Sequence, residues 1–200
     1  MGAAIDAAGD SPPGSIVELR SYEDTRGERR VALAVRSDLD IQAQVTATGA
    51  TWLDRQAVAR DPVALSEGGF GAEVQQALTQ RADHLIGEDL AERQGGRVVF
   101  ARRLLNTLRD REVNALGERL TAETGLPFNR AANGEFVAGI YRQRFALATG
   151  RFAMIDDGLG FQLVPWSPSL EKQLGRHVSG VARDSGGVDW DFGRKRGLGL

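Results

Sequence analysis

Leu90-Ala91-Glu92-Arg93-Gln94-Gly95-Gly96-Arg97-Val98-Val99-Phe100 is the stretch on which the reading of this chain turns. Two short segments flank a pair of glycines, and adjacent glycines supply the positive φ angles that a tight hairpin needs. On the N-terminal side, Val74, Ala77, Leu78, Ala82, Leu85 and Ile86 recur at helical intervals from Gly71 to about Gly87, with Gln75, Gln76, Thr79, Arg81 and Asp83 on the other side. On the C-terminal side, Leu104, Leu105, Leu108, Val113, Leu116 and Leu120 predict a helix from about Ala101 to Thr124, which Gly125 and Pro127 stop. Helix, hairpin and helix make a winged arrangement, so residues 61–127 are read as a winged-helix-like part.

Before it, residues 1–14 are small and poorly patterned and are read as a disordered leader. Residues 15–60 read as a small antiparallel β part with a short helix. Ile16 to Tyr22 and Arg30 to Arg36 are strands around a Thr25-Arg26-Gly27 turn, Ile41 to Thr46 alternates as a third strand, and Thr51 to about Ala59 is helical. After it, residues 128–200 are rich in strand signals: Glu135 to Leu147, Gly150 to Asp156, Gly160 to Pro165, Arg176 to Ala182 and Gly187 to Gly193. A short helix, Ser167 to Leu174, interrupts them, with Ser167 as N-cap and Pro168 at its first position. Five short strands with one helical insert suggest a compact barrel of the OB or SH3-like kind, with Phe152, Ile155, Phe161, Leu163 and Trp166 in its core. The fold class expected is α+β.

Composition bounds the function without naming it. With 200 residues, 42% hydrophobic and 26% charged, the chain is long enough to bury roughly 70% of its unfolded surface. No run reaches the ~18 apolar residues of a membrane span and the N-terminus has no secretory pattern, so no membrane partner and a cytoplasmic location are expected. Zero cysteines remove disulfides and thiolate chemistry. Of 25 basic residues only Lys172 and Lys195 are lysine, and splitting the chain after Gly125 leaves about +3 on the C-terminal part. Arginine-rich and locally basic sequence is compatible with phosphate recognition.

Catalytic constellations are sparse. His84 and His177 are the only histidines, so a three-histidine metal site is arithmetically impossible. Asp156-Asp157 has the composition of a divalent-cation or acid–base pair, but with Gly158-Leu159-Gly160 between two strands it reads more simply as a hairpin turn. Three features point instead to nucleic acid. Trp190 and Phe192 stand beside Arg194, Lys195 and Arg196, joining stacking faces to cations. Arg142 and Arg144 alternate on one strand, which places both guanidinium groups on one face. Arg93 and Arg97 flank the hairpin turn, with Arg102, Arg103 and Arg109 following, where a wing meets phosphate. Each has a structural alternative: core aromatics with a solvated end, a solvated strand face, and a plain charged surface.

The run Gly150-Arg151-Phe152-Ala153-Met154-Ile155-Asp156-Asp157-Gly158-Leu159-Gly160-Phe161-Gln162-Leu163-Val164-Pro165-Trp166, continued by Leu170-Glu171, Leu174-Gly175-Arg176 and Val178-Ser179-Gly180, resembles the C-terminal region of relaxase/mobilisation nucleases from conjugative plasmids and integrative elements, a domain of unknown function. Val31 to Leu39, Gly49 to Gln56 and Leu90 to Ala101 resemble the same family, so the likeness covers about Gly14 to Leu200. Full relaxases of this kind carry an N-terminal nuclease with a tyrosine nucleophile and a histidine-bound metal. That part has no counterpart here, since Tyr22 and Tyr141 have no histidine cluster beside them, and no catalytic residue is carried over. The resemblance implies association with conjugative DNA processing, as a stand-alone accessory module or a shortened relaxase, and the function expected is a non-enzymatic accessory module with no cofactor and with DNA, or proteins of the conjugation machinery, as its partner. The alternatives are a module docking a relaxase to the coupling or secretion machinery, and a hydrolase built on Asp156 and Asp157.

Overall fold

The computed structural model describes residues 11–61, 65–183 and 186–192. The chain divides into two compact units, residues 1–111 and 112–200. Both contain helical segments and antiparallel strands.

In the first unit, β1 (Ile16–Glu23) and β2 (Arg29–Ser37) form an antiparallel hairpin. Its turn is organised by Asp24, whose Oδ1 accepts the amides of Arg26 and Glu28 and whose Oδ2 accepts Arg30 Nε at 2.7 Å. The third strand expected at Ile41 is instead a helix, α1 (Ile41–Val45). Asp40 decides it: its Oδ1 caps the helix by accepting Ala43 N at 2.7 Å, and over five residues the helical spacing of Ile41, Gln44 and Val45 competes with alternation. Helix α2 (Trp52–Ala57) begins in a capping box between Thr51 and Asp54.

Both short helices pack against α3 (Phe70–Gly87) through a core of Ile16, Ile41, Leu53, Val74 and Ala77. Arg81, expected on the solvent side of α3, is only 1% exposed. It falls one turn from both Ala77 and Leu85 on the buried stripe. Its guanidinium binds both carboxylate oxygens of Asp54 at 2.9 Å and the carbonyls of Val45, Ala47 and Gly49 at 3.2, 2.6 and 3.1 Å. A buried charge is tolerable only when paired and hydrogen-bonded in this way.

The central hairpin forms as read: β3 (Ala91–Gln94) pairs with β4 (Arg97–Phe100) around Gly95 and Gly96, whose φ angles are +53° and +81°. Two positive angles match the twist of the strands they join. Helix α4 (Leu104–Thr124) follows, its Leu104 and Leu108 packing with Ala50, Leu85 and Leu90 in the first unit's second core.

The second unit takes the rest of α4 and five strands: β5 (Phe136–Leu147), β6 (Gly150–Asp156), β7 (Phe161–Pro165), β8 (His177–Ala182) and β9 (Val188–Asp191). All pairs are antiparallel, in the order β7-β6-β5-β8-β9. This is an open sheet: β7 and β9 lie at opposite ends of the order, so the closure of the expected barrel is not present among the described residues. Between β7 and β8 the expected short helix is a 3₁₀ segment, Pro168–Gln173.

Each face of the sheet has its own core. Val113, Leu116 and Leu120 of α4 pack with Phe152, Met154, Phe161 and Leu163. On the other face, Val137, Tyr141, Ala153, Ile155, Val164 and Val178 gather with Leu170 of the 3₁₀ segment. The five residues expected in one core are therefore shared between two, Ile155 and Trp166 belonging to the second. Gly117 lets Phe128 approach α4, since a Cβ there would lie 2.2 Å from the ring. Glu112 holds the β5–β6 turn by accepting the amides of Ala148 and Thr149 at 2.8 and 2.9 Å.

Strand β5 changes phase partway. A β-bulge between Tyr141 and Gln143 inserts Arg142, so Val137 and Tyr141 face one core while Phe145 and Leu147 face the other. In an unbroken alternation that counted Arg142 as a paired residue, all four would share a face.

Candidate nucleic-acid interface

The β3–β4 hairpin and its surroundings present their arginines in a graded way. Arg93 on β3 is tied to Asp83 of α3, Arg111 pairs with Glu88 at 3.4 Å, and Arg109 meets Asp110 at 3.7 Å. Arg97, the first residue of β4, and Arg102 and Arg103, between β4 and α4, are exposed and have no acidic partner among the described residues. The tight glycine turn places Arg97 at the hairpin's tip, opposite Gln94, and the end of β4 places the other two at its base. Exposed guanidinium groups with no carboxylate to satisfy them retain their full capacity for phosphate oxygens. Arg102 and Arg103 were legible in the sequence only as followers of the wing.

Arg142 and Arg144 do not share one face of the sheet. The bulge at Arg142 breaks the alternation that would have aligned them. Arg142 Nε donates to Asp156 Oδ2 at 2.8 Å, on the β6 face that also carries Phe152 and Met154. Arg144 lies on the opposite face with its guanidinium 5.0 Å from the Trp166 ring centroid, and its NH1 meets Glu171 at 3.2 Å. Arg151 approaches the same ring at 5.6 Å. Trp166, Arg151 and Glu171 thus form a cation–π cluster with Arg144 that alternation alone does not reveal. Tyr141, 2% exposed, joins it: burial chiefly, and then the Glu171 charge, push its hydroxyl above the ordinary value of 10.0, against the opposing pull of Trp166 and Arg144. These two arginines are committed to the unit's own architecture.

Trp190 packs against the core on the Tyr141 face and stacks with Phe192 at a centroid distance of 6.3 Å. Arg194, Lys195 and Arg196 lie outside the described residues. The Asp156-Asp157 pair forms a turn, as its glycines suggest. Asp156 Oδ1 accepts Gly158 N at 2.7 Å, and Asp157 Oδ1 accepts the amides of Leu159 and Gly160 at 2.9 and 2.8 Å. Those amides, Leu159 first, hold the Asp157 carboxyl below its ordinary value of 3.8. His84 is half-buried on α3 and His177 exposed at the start of β8. Among the described residues no three metal-ligating side chains gather, and no helix is long and apolar enough to cross a membrane.

A family described as a protein of unknown function, DUF3363, matches residues 14–199. No curated protein and no solved structure matches the chain.

Proposed function

We propose, from the premise that the chain belongs to the DUF3363 family of proteins of unknown function, that it is a non-enzymatic module contacting nucleic acid through its wing. The setting we assign it is conjugative DNA mobilisation, where the resemblance of its sequence to the C-terminal region of relaxases lies. The observation that carries the reading is the set of uncommitted cations at Arg97, Arg102 and Arg103, around a hairpin held between two helices. Wings of this form lie along the sugar–phosphate backbone, where affinity comes from charge neutralisation and sequence discrimination is slight.

Salt dependence tests it. Duplex DNA binding is expected to weaken linearly in log–log form with salt, and each phosphate contact contributes roughly -0.9 to the slope. The Arg97/Arg102/Arg103→Ala triple variant should flatten that slope by about 2 to 3. Arg142→Ala and Arg144→Ala should leave it unchanged, because their guanidinium groups are held by Asp156 and by Trp166 with Glu171. Identical slopes, or no binding at low salt, refute the reading; strand cleavage by the chain refutes its non-enzymatic part.

One observation favours a second reading, docking to a protein partner. The β1–β2 ribbon pairs Val17 with Val35 and Leu19 with Leu33 on one face, and Val17, Leu19 and Val35 are exposed. Apolar side chains aligned on an unpartnered ribbon are the composition of a contact surface.

A further inference from the structure

Strand β5 starts before its pairing with β6 does. Phe136–Gly139 pair with β8 alone, while β6 ends at Asp156 opposite Ile140. Beside this overhang runs the segment from Pro127 to Asn129, held to the outer edge of β7 by Asn129 N donating to Phe161 O at 2.8 Å and Phe161 N donating to Pro127 O at 3.0 Å. Between them opens a cavity of about 630 Å³ lined by Phe128, Asn129, Glu135, Phe136, Asp157 and Gln162.

Its chemistry is that of a receptor for a cation. Phe136 is 64% exposed, an unusual fraction for so large an apolar side chain. Asp157 uses Oδ1 for its turn, accepting the amides of Leu159 and Gly160. Glu135 uses Oε2 for Ala132 N at 2.6 Å, while its Oε1 meets Gln162 Nε2 only at 3.5 Å. Arg130 also lines the cavity but already has its own partner. The lining therefore carries two carboxylates against one committed cation, and it opposes a phosphodiester.

We infer that this cavity receives an arginine side chain from an extended segment of a partner protein. The segment's backbone pairs with the open edge of Phe136–Ala138, short of Gly139, against which the Asp156 and Asp157 backbone already lies, in the manner of strand addition. The guanidinium lies over the Phe136 ring and bonds to the Asp157 and Glu135 carboxylates. A single strand edge of this length gives weak affinity, so selectivity rests on the charged pocket. This goes beyond the DNA contact proposed for the wing and uses none of its residues.

The test titrates the full chain with the blocked peptide Val-Arg-Val-Arg-Val, its twin with citrulline in place of both arginines, and a single-stranded oligothymidylate, following backbone amides by NMR. The arginine peptide should bind at least roughly tenfold more tightly than the citrulline twin, because loss of the charge removes both the cation–π and the ionic component. Its shifts should centre on 135–139 and 157–162. Phe136→Ala and Asp157→Asn should each weaken it by about fivefold or more with unchanged folding; asparagine retains the Oδ1 acceptor of the turn, and Phe136→Ala removes only an exposed ring. Equal binding of the two peptides, no binding of either at millimolar concentration, or oligothymidylate binding that Phe136→Ala abolishes would each overturn the inference. The wing triple variant should bind the peptide normally, so failure of the DNA reading and failure of this one are read separately.

Discussion

Replacing Asp54 with alanine probes the most heavily committed charge in the first unit. Arg81 is 1% exposed and Asp54 is fully buried, and five hydrogen bonds fill the guanidinium, two of them to this carboxylate. Loss of the carboxylate leaves a full positive charge facing three carbonyl oxygens in a dry interior. It also removes the acceptor for Thr51 N at 2.7 Å, half of the capping box of α2. Breaking a buried pair from one side costs about 3–5 kcal/mol, well above the roughly 1 kcal/mol of a cap alone. Asp54→Asn keeps the shape and one acceptor and should fall in the same range, because the charge is what Arg81 lacks. Urea unfolding followed by far-ultraviolet circular dichroism gives the free energies. In a double-mutant cycle with Arg81→Met, the two single losses should exceed the double loss by about 2–3 kcal/mol. An Asp54→Asn variant within about 1 kcal/mol of the parent, or a coupling near zero, would refute the argument that this pair organises the helices around it.

Two more outcomes follow from the second unit. Gly117→Ala should destabilise by about 1–3 kcal/mol, since its Cβ would lie 2.2 Å from Phe128, and Phe128→Leu in the same chain should recover part of that loss in thermal melts. Tyr141 has a folded pKa above its unfolded value near 10, so the stability it contributes is intact below pH 10 and is lost as pH rises toward the raised value; Tyr141→Phe should remove that alkaline decline, and an unchanged decline would refute it.

The elements that could be read from sequence are those whose signal is local and repeated. The Gly95-Gly96 turn, the long stripe of α3 and the glycine-bounded strands from Phe136 to Asp191 needed no knowledge of distant neighbours. Ile41–Val45 misled because five residues hold one turn of helix or two repeats of a strand, and only the Asp40 cap separates them. Arg81 looked solvent-facing because its partner Asp54 is 27 residues away. The open sheet order and the bulge at Arg142 leave no composition mark, as both record which strand lies beside which. The candidate site followed the same division. Arg93 and Arg97 were legible as wing cations, but that Asp83 commits the first and no carboxylate among the described residues commits the second is a matter of tertiary proximity.

Strand β5 can be viewed as a message with a frame. The residue inserted at Arg142 shifts every later side chain by half a period, so its two segments are spelled for opposite sides of one sheet. Exchange of Arg142 for another amino acid removes one ion pair and leaves the frame intact. Excision of the residue would make Tyr141 opposite Ile155 and Gln143 opposite Met154 consecutive pairs of a regular ladder, with Val137 and Tyr141 still on one side and Phe145 and Leu147 on the other. For this strand, loss of the bulged residue is a milder error than a further insertion, which would turn one segment's side chains away from the core they fit.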